Sequence, residues 1–224
     1  MDSNMKIKWE KLHSQGRFRP KYPAGIVVQF VFRNFERNGE SKVLDIGCGA
    51  GRHVCFMAKE NIHAYGVDIS KEGVDFTNKI LKQEGLNGEA QVATVDQLPF
   101  KDDYFEGLMC YGVLYYCKKD EIQKAIKEMY RVLKSDGLGL LVVRNTGDYR
   151  FGVGKEIENN TFIIEEKDEN KCAFNENGMT MHFFVREELK ELFKEFRNVE
   201  IDEIIETHNN GKHNDANFII KFQK

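Results

Sequence analysis

Basic runs, paired C-x-x-C cysteines, metal-ligand spacings and long apolar stretches are all missing from this sequence. No block of five or more lysines and arginines occurs, and 36 acidic residues outnumber 33 basic ones for a net charge of −3. Such a chain lacks the electrostatic footprint of a nucleic-acid binder, so no nucleic-acid partner is expected. The five cysteines, at 48, 55, 110, 117 and 172, are odd in number and signal neither a disulfide framework nor a zinc ribbon. Cys55, Cys110 and Cys117 fall in apolar stretches and read as reduced core residues of a cytoplasmic protein. The six histidines show no ligand spacing, so no metal is expected. No apolar run approaches the roughly 20 residues of a membrane span. Residues 1–20 are polar and charged, so neither a membrane partner nor a signal peptide is expected.

What is present is ordinary in bulk and specific in one place. With 224 residues, 31% charged and 41% hydrophobic, the chain suits a single α/β domain over 1–224. Its organising stretch is Val43-Leu44-Asp45-Ile46-Gly47-Cys48-Gly49-Ala50-Gly51-Arg52-His53. A short buried strand runs into a glycine-rich turn, and a helix begins near Arg52. Such a turn lets backbone approach a ligand closely, with the first amides of the helix facing it. That is a nucleotide-binding βα turn. The dinucleotide fingerprint needs G-x-G-x-x-G, whereas Arg52 stands where its third glycine belongs. Asp45 argues the same way, since a carboxylate two residues before the loop would repel a pyrophosphate. It suits a ligand carrying an ammonium and a sulfonium and no phosphate.

The stretch Leu44-Asp45-Ile46-Gly47-Cys48-Gly49-Ala50-Gly51 resembles the first motif of the class I S-adenosylmethionine-dependent methyltransferases. The resemblance implies a Rossmann-like three-layer sandwich, with a seven-stranded, mostly parallel sheet and an antiparallel last strand. It implies S-adenosylmethionine as cofactor, S-adenosylhomocysteine as product, and contacts from Asp45, Gly47, Cys48, Gly49 and Gly51. Asp68 stands 19 residues beyond Gly49 at the end of a strand read over 63–67. An acid so placed can accept both ribose hydroxyls, with Ile69 beside it; the alternative is that Asp68 or Ser70 caps the next helix. Val95-Asp96-Gln97-Leu98-Pro99-Phe100 resembles the family's adenine-side motif, which implies Asp96 on the exocyclic amine and Gln97 and Leu98 flanking the base. In the family an arm before the first strand often folds over the cofactor; Arg19 and Tyr22, within an arm spanning 1–23, are the candidates here. Glu106 departs from the aspartate many relatives carry.

The remaining elements are read from periodicity. Helices are expected over 24–37, 51–60, 71–85, 119–133 and 186–196, and further strands over 90–94, 104–110, 138–144, 199–206 and 217–222. Residues 145–181 are polar, with glycines, asparagine clusters and no helical period, and an insertion of that length is expected to be a substrate lid. Tyr111, Tyr115 and Tyr116 fall where open α/β sheets place ligands. Candidates for acceptor contacts are Tyr115, Tyr116, Arg144, Tyr149 and His182, with His182 the base candidate. Arg144 is placed to bind a carboxylate or phosphate bidentately, or to pair with a lid glutamate. The expected activity is methyl transfer to an O or N nucleophile of a small molecule, by a monomer or homodimer. The competing readings are a methyltransferase acting on protein or RNA, and a cofactor-binding regulatory module without turnover.

Overall fold

The computed structural model describes residues 3–224; the first two residues of the expected arm lie outside the described residues. Sheet order is β3-β2-β1-β4-β5-β10-β9, from β1 (Lys42–Ile46), β2 (His63–Asp68), β3 (Gly88–Val92), β4 (Phe105–Tyr111), β5 (Leu133–Arg144), β9 (Arg197–His208) and β10 (His213–Gln223). Strands β1 to β5 pair in parallel, and β10 runs antiparallel to both β5 and β9. This is the expected Rossmann-like architecture, a seven-stranded mostly parallel sheet whose last strand is reversed.

Alternation along the strands builds the layers, because neighbouring residues face opposite sides of a sheet. Val43, Met109, Leu140, Val142 and Ile219 pack with α2 (Gly25–Asn34), α3 (Arg52–Lys59) and α4 (Lys71–Glu84). Leu44, Leu108, Leu141, Val143 and Ile220 pack on the other face against α5 (Lys119–Val132) and α6 (Arg186–Leu192). Strands buried on both faces read as near-continuous apolar runs, which is what 138–144 displays.

Two elements differ from the expectation. β5, expected over 138–144, begins at Leu133 and runs through Asp136-Gly137. Its pairing with β4 shifts register between Phe105 and Gly107, and Asp136 takes φ 65°. The pair is therefore a local irregularity inside the strand. Residues 3–13, read only as polar, form α1 (Ser3–His13). Their polarity hides a narrow stripe: Met5 is buried, and Trp9 and Leu12 pack on the same core.

Within 145–181, β6 (Lys155–Glu158) and β7 (Thr161–Ile163) form with β8 (Thr180–His182) a small antiparallel sheet of order β6-β7-β8. Among the described residues no helix is long and apolar enough to cross a membrane. Nor is any cluster of three or more His, Cys, Asp or Glu side chains arranged to hold a metal ion.

Candidate functional site

Strand order reverses between β1 and β4, and a cavity of about 170 Å³ opens at the carboxyl ends of these strands and of β2. Open α/β sheets bind ligands at such a switch point. The glycine turn forms its floor, because the amides of Gly47 and Cys48 both donate to the Val67 carbonyl, at 2.7 and 2.9 Å. Gly47 adopts φ 75°, and a Cβ there would lie 2.2 Å from Val113. Gly51, φ 80°, faces Thr77 of α4, whose side-chain atoms a Cβ would meet at 2.5 Å. Neither position tolerates a side chain without moving its neighbour.

Asp68 ends β2 and lines the cavity. One of its oxygens accepts from the Gly49 amide at 2.8 Å and the other from the Ser70 amide at 2.8 Å. Burial pushes its carboxyl above the usual range, against the pull of those two amides and of His13. Helix capping, the competing role at this corner, falls to Ser70, whose hydroxyl accepts from Gly73 at 3.1 Å. Gly47, Cys48, Gly49, Ile69, Tyr111 and Tyr116 also line the cavity.

Other expected site residues are placed differently. Asp45 is 1% exposed beneath the turn; one carboxylate oxygen lies 3.4 Å from His53 Nδ1 and has no hydrogen-bond partner. Gly51 packs on α4 and does not line the cavity. Arg19 turns away, donating to the His13 carbonyl and pairing with Glu72 at 2.7 Å, and Tyr22 is exposed. On the third-strand side Ala93 and Val95 line the cavity, whereas Asp96 and Gln97 do not. Leu98 is buried in the core, its amide donating to Glu128.

His182 sits on β8 with both ring nitrogens engaged, Nδ1 with Thr161 Oγ1 at 2.8 Å and Nε2 with Glu188 at 3.0 Å. Fully buried and doubly bonded, it is outside the cavity lining. Arg144 is held at 2.6 Å from Asp148 and 3.7 Å from Glu176, a glutamate of the 145–181 insertion. Tyr149 hydroxyl accepts from the Ala173 amide, and Tyr115 lies under the Arg144 guanidinium. No residue of 145–181 lines the cavity; its link is indirect, through the Tyr116 hydroxyl, which donates to Glu176 at 2.8 Å. Burial, with Glu176 adding to it, raises the Tyr116 phenol well above its usual range.

The cover over the cavity comes from the element that polarity concealed. Trp9 and His13 of α1, with Phe18 and Pro20 beyond it, complete the lining. Trp9 packs edge-on to Tyr116 at 5.0 Å, and burial lowers the His13 pKa. A stripe at 5, 9 and 12–13 was the available signal. Glu10 fastens this helix: its carboxylate accepts from the Lys71 and Glu72 amides at 2.8 and 2.9 Å and from the Ser70 hydroxyl at 3.0 Å. It thereby caps α4 from outside, at the end where the helix dipole favours an anion. Glu10→Ala is expected to lower stability by about 1 kcal/mol, the scale of a lost cap. It should also loosen α1 over the cavity. Trp9 is the single tryptophan, so acrylamide quenching of its fluorescence checks this directly. Unchanged quenching in the variant would mean that the Glu10 contacts do not hold the cover.

Similarity to known proteins centres on the same corner. A family model described as "Methyltransferase domain" matches residues 43–137. The uncharacterized methyltransferase YcgJ of Bacillus subtilis (strain 168) is 34% identical over 122 residues, 54% of this chain and 47% of that protein. The chain thus spans about half the length of the curated relatives it matches. A solved SAM-dependent methyltransferase from Methanosarcina mazei superimposes with a TM-score of 0.70 at 23% identity, covering 91% of this chain and 98% of that one. The solved YcgJ structure gives 0.59 at 19% identity, over 90% and 99%. At such identities the superpositions speak to the fold.

Proposed function

We propose that this chain is a class I S-adenosylmethionine-dependent methyltransferase, a reading supported by the matched methyltransferase domain and the shared fold, and that it methylates an O or N nucleophile of a small molecule and releases S-adenosylhomocysteine. The observation that carries this reading is Asp68, a buried carboxylate at the end of β2 lining a cavity floored by the glycine turn. Both oxygens are steadied by backbone amides, which leaves lone pairs for the two ribose hydroxyls. The unpartnered Asp45 oxygen beneath the turn is a second mark of fit, suited to a cationic group above it. Ala93 and Val95 offer an apolar wall for the adenine.

When bound, the cofactor supplies a methyl on a sulfonium, with a neutral thioether as leaving group. The protein's part is then to orient the acceptor and to keep water out. Trp9, Phe18 and Tyr116 give the acceptor side an aromatic lining, and α1 closes it. A cavity covered in this way supports a small acceptor, and an acidic chain without a basic run counts against RNA. The five free thiols, Cys172 exposed among them, support a reducing compartment such as the cytoplasm.

Calorimetric titration with S-adenosylmethionine, S-adenosylhomocysteine and NADH tests the reading. Micromolar binding of the two sulfur ligands alone is expected. Binding of NADH instead, or of none of the three, would overturn it.

A further inference from the structure

The cavity lining contains one cationic side chain, Arg52, and among the described residues it has no carboxylate partner. Arg17, Arg33 and Arg186 likewise sit in no ion pair among the described residues, but none of them lines the cavity, whereas the arginines at 19, 37, 131, 144, 150 and 197 are each ion-paired. Its guanidinium lies over the Tyr111 ring, 5.1 Å from the centroid, and Tyr111 is braced edge-on by His53 at 5.5 Å. A guanidinium held over a ring as a cation–π contact needs no carboxylate there, and its fork of N–H donors can receive one through two parallel hydrogen bonds. No acidic residue stands in the first turn of α3, and Gly51 before it offers no side-chain cap. Neither acid of this corner pairs with Arg52: the Asp68 oxygens accept from the Gly49 and Ser70 amides, and the nearest basic group to the Asp45 carboxylate is His53, at 3.4 Å.

We propose that Arg52, held over the Tyr111 ring, is the carboxylate-binding residue of this cavity. Two ligands carry that chemistry: the amino-acid end of the cofactor, which rests on the methyltransferase reading, and an acceptor that is itself a carboxylic acid. Arg52 takes over the role that Arg19, turned toward Glu72, is not placed to fill.

Arg52→Met and Arg52→Lys distinguish the sources when titrated with S-adenosylhomocysteine and with 5′-methylthioadenosine, which keeps the adenosine and thioether but lacks the amino acid. For the cofactor source, Arg52→Met lowers S-adenosylhomocysteine affinity at least tenfold and leaves 5′-methylthioadenosine within twofold of wild type. Arg52→Lys, keeping a point charge without the fork, falls between. For the acceptor source, both nucleosides bind all forms alike, while benzoate titrated into the S-adenosylhomocysteine-loaded protein binds wild type and not Arg52→Met. The proposal is overturned if neither ligand class distinguishes Arg52→Met from wild type, or if both nucleosides are lost equally, which marks a damaged fold. Should wild type bind neither nucleoside, the methyltransferase reading is what fails; benzoate and the unliganded protein then decide Arg52 alone, by whether millimolar binding depends on it.

Discussion

Replacing Asp68 with alanine is expected to weaken S-adenosylhomocysteine binding by about 2–4 kcal/mol, on the scale of losing hydrogen bonds to a charged acceptor. Stability should change far less. The ionised carboxylate is disfavoured by burial, and its removal relieves that penalty while forfeiting the Gly49 and Ser70 amide contacts. Calorimetry beside chemical denaturation separates the two quantities. Asp68→Asn, which keeps one acceptor oxygen, should fall between wild type and Asp68→Ala. Acidity supplies a further signature. Hydroxyls donate to the ionised acid, so affinity is full above the carboxyl's raised pKa and declines as pH falls through it. Because burial has raised that pKa, the decline begins at a higher pH than an ordinary carboxylate would give. Asp68→Asn should lack it. A folded Asp68→Ala that binds as tightly as wild type would remove the ribose role.

This corner was legible because its requirements are local. A glycine at Gly47, an acid 19 residues past Gly49 and an apolar run before each turn all follow from chain geometry within a βα unit. The two-faced burial of β4 and β5 was legible in the same way, from runs that leave no polar side. What escaped depends on contacts far apart in sequence. α1 is stabilised where Glu10 meets the amides of Lys71 and Glu72, some 60 residues on; the stripe at 5, 9 and 12–13 marks a face to be covered without naming what covers it. His182 reads as a base because a histidine near an insertion is chemically suggestive; only the fold brings Thr161 and Glu188 to its two nitrogens. Arg52 stood in view as the residue that breaks the dinucleotide spacing, while its place over the Tyr111 ring needed β4 beside the turn. Local chemistry can be read along a chain, whereas the partners that quench or free a side chain are decided by topology.

Arg144 carries that distinction into stability. It lies at the end of β5, where ligand chemistry is expected, yet it belongs to a buried ionic cluster with Arg150, Asp148, Glu176 and Asp215. Asp148 is the centre, its side chain fully buried. It accepts from Arg144 at 2.6 Å, from Arg150 at 3.2 Å and from the amides of Arg150 and Ala216 at 3.0 and 3.2 Å. Asp148→Ala strands two buried guanidiniums with fewer partners, and Arg144 keeps only Asp215 at 3.5 Å and Glu176 at 3.7 Å. Breaking a buried pair from one side is expected to cost about 3–5 kcal/mol, read as a lower urea midpoint at unchanged slope. Removing both side chains together, as Arg144→Met with Asp148→Leu, should cost less than Asp148→Ala alone, because Arg144 leaves with its one short partner while Arg150 keeps Glu176 and Asp215, each at 2.6 Å. Since neither residue lines the cavity, S-adenosylhomocysteine affinity of whatever fraction folds should stay within about twofold of wild type, under 0.5 kcal/mol on the tenfold-per-1.4 kcal/mol scale. A loss below about 1 kcal/mol, the level of an exposed pair, would mean that the cluster is open to water. A large loss of affinity in the folded Asp148→Ala would instead return Arg144 to the ligand.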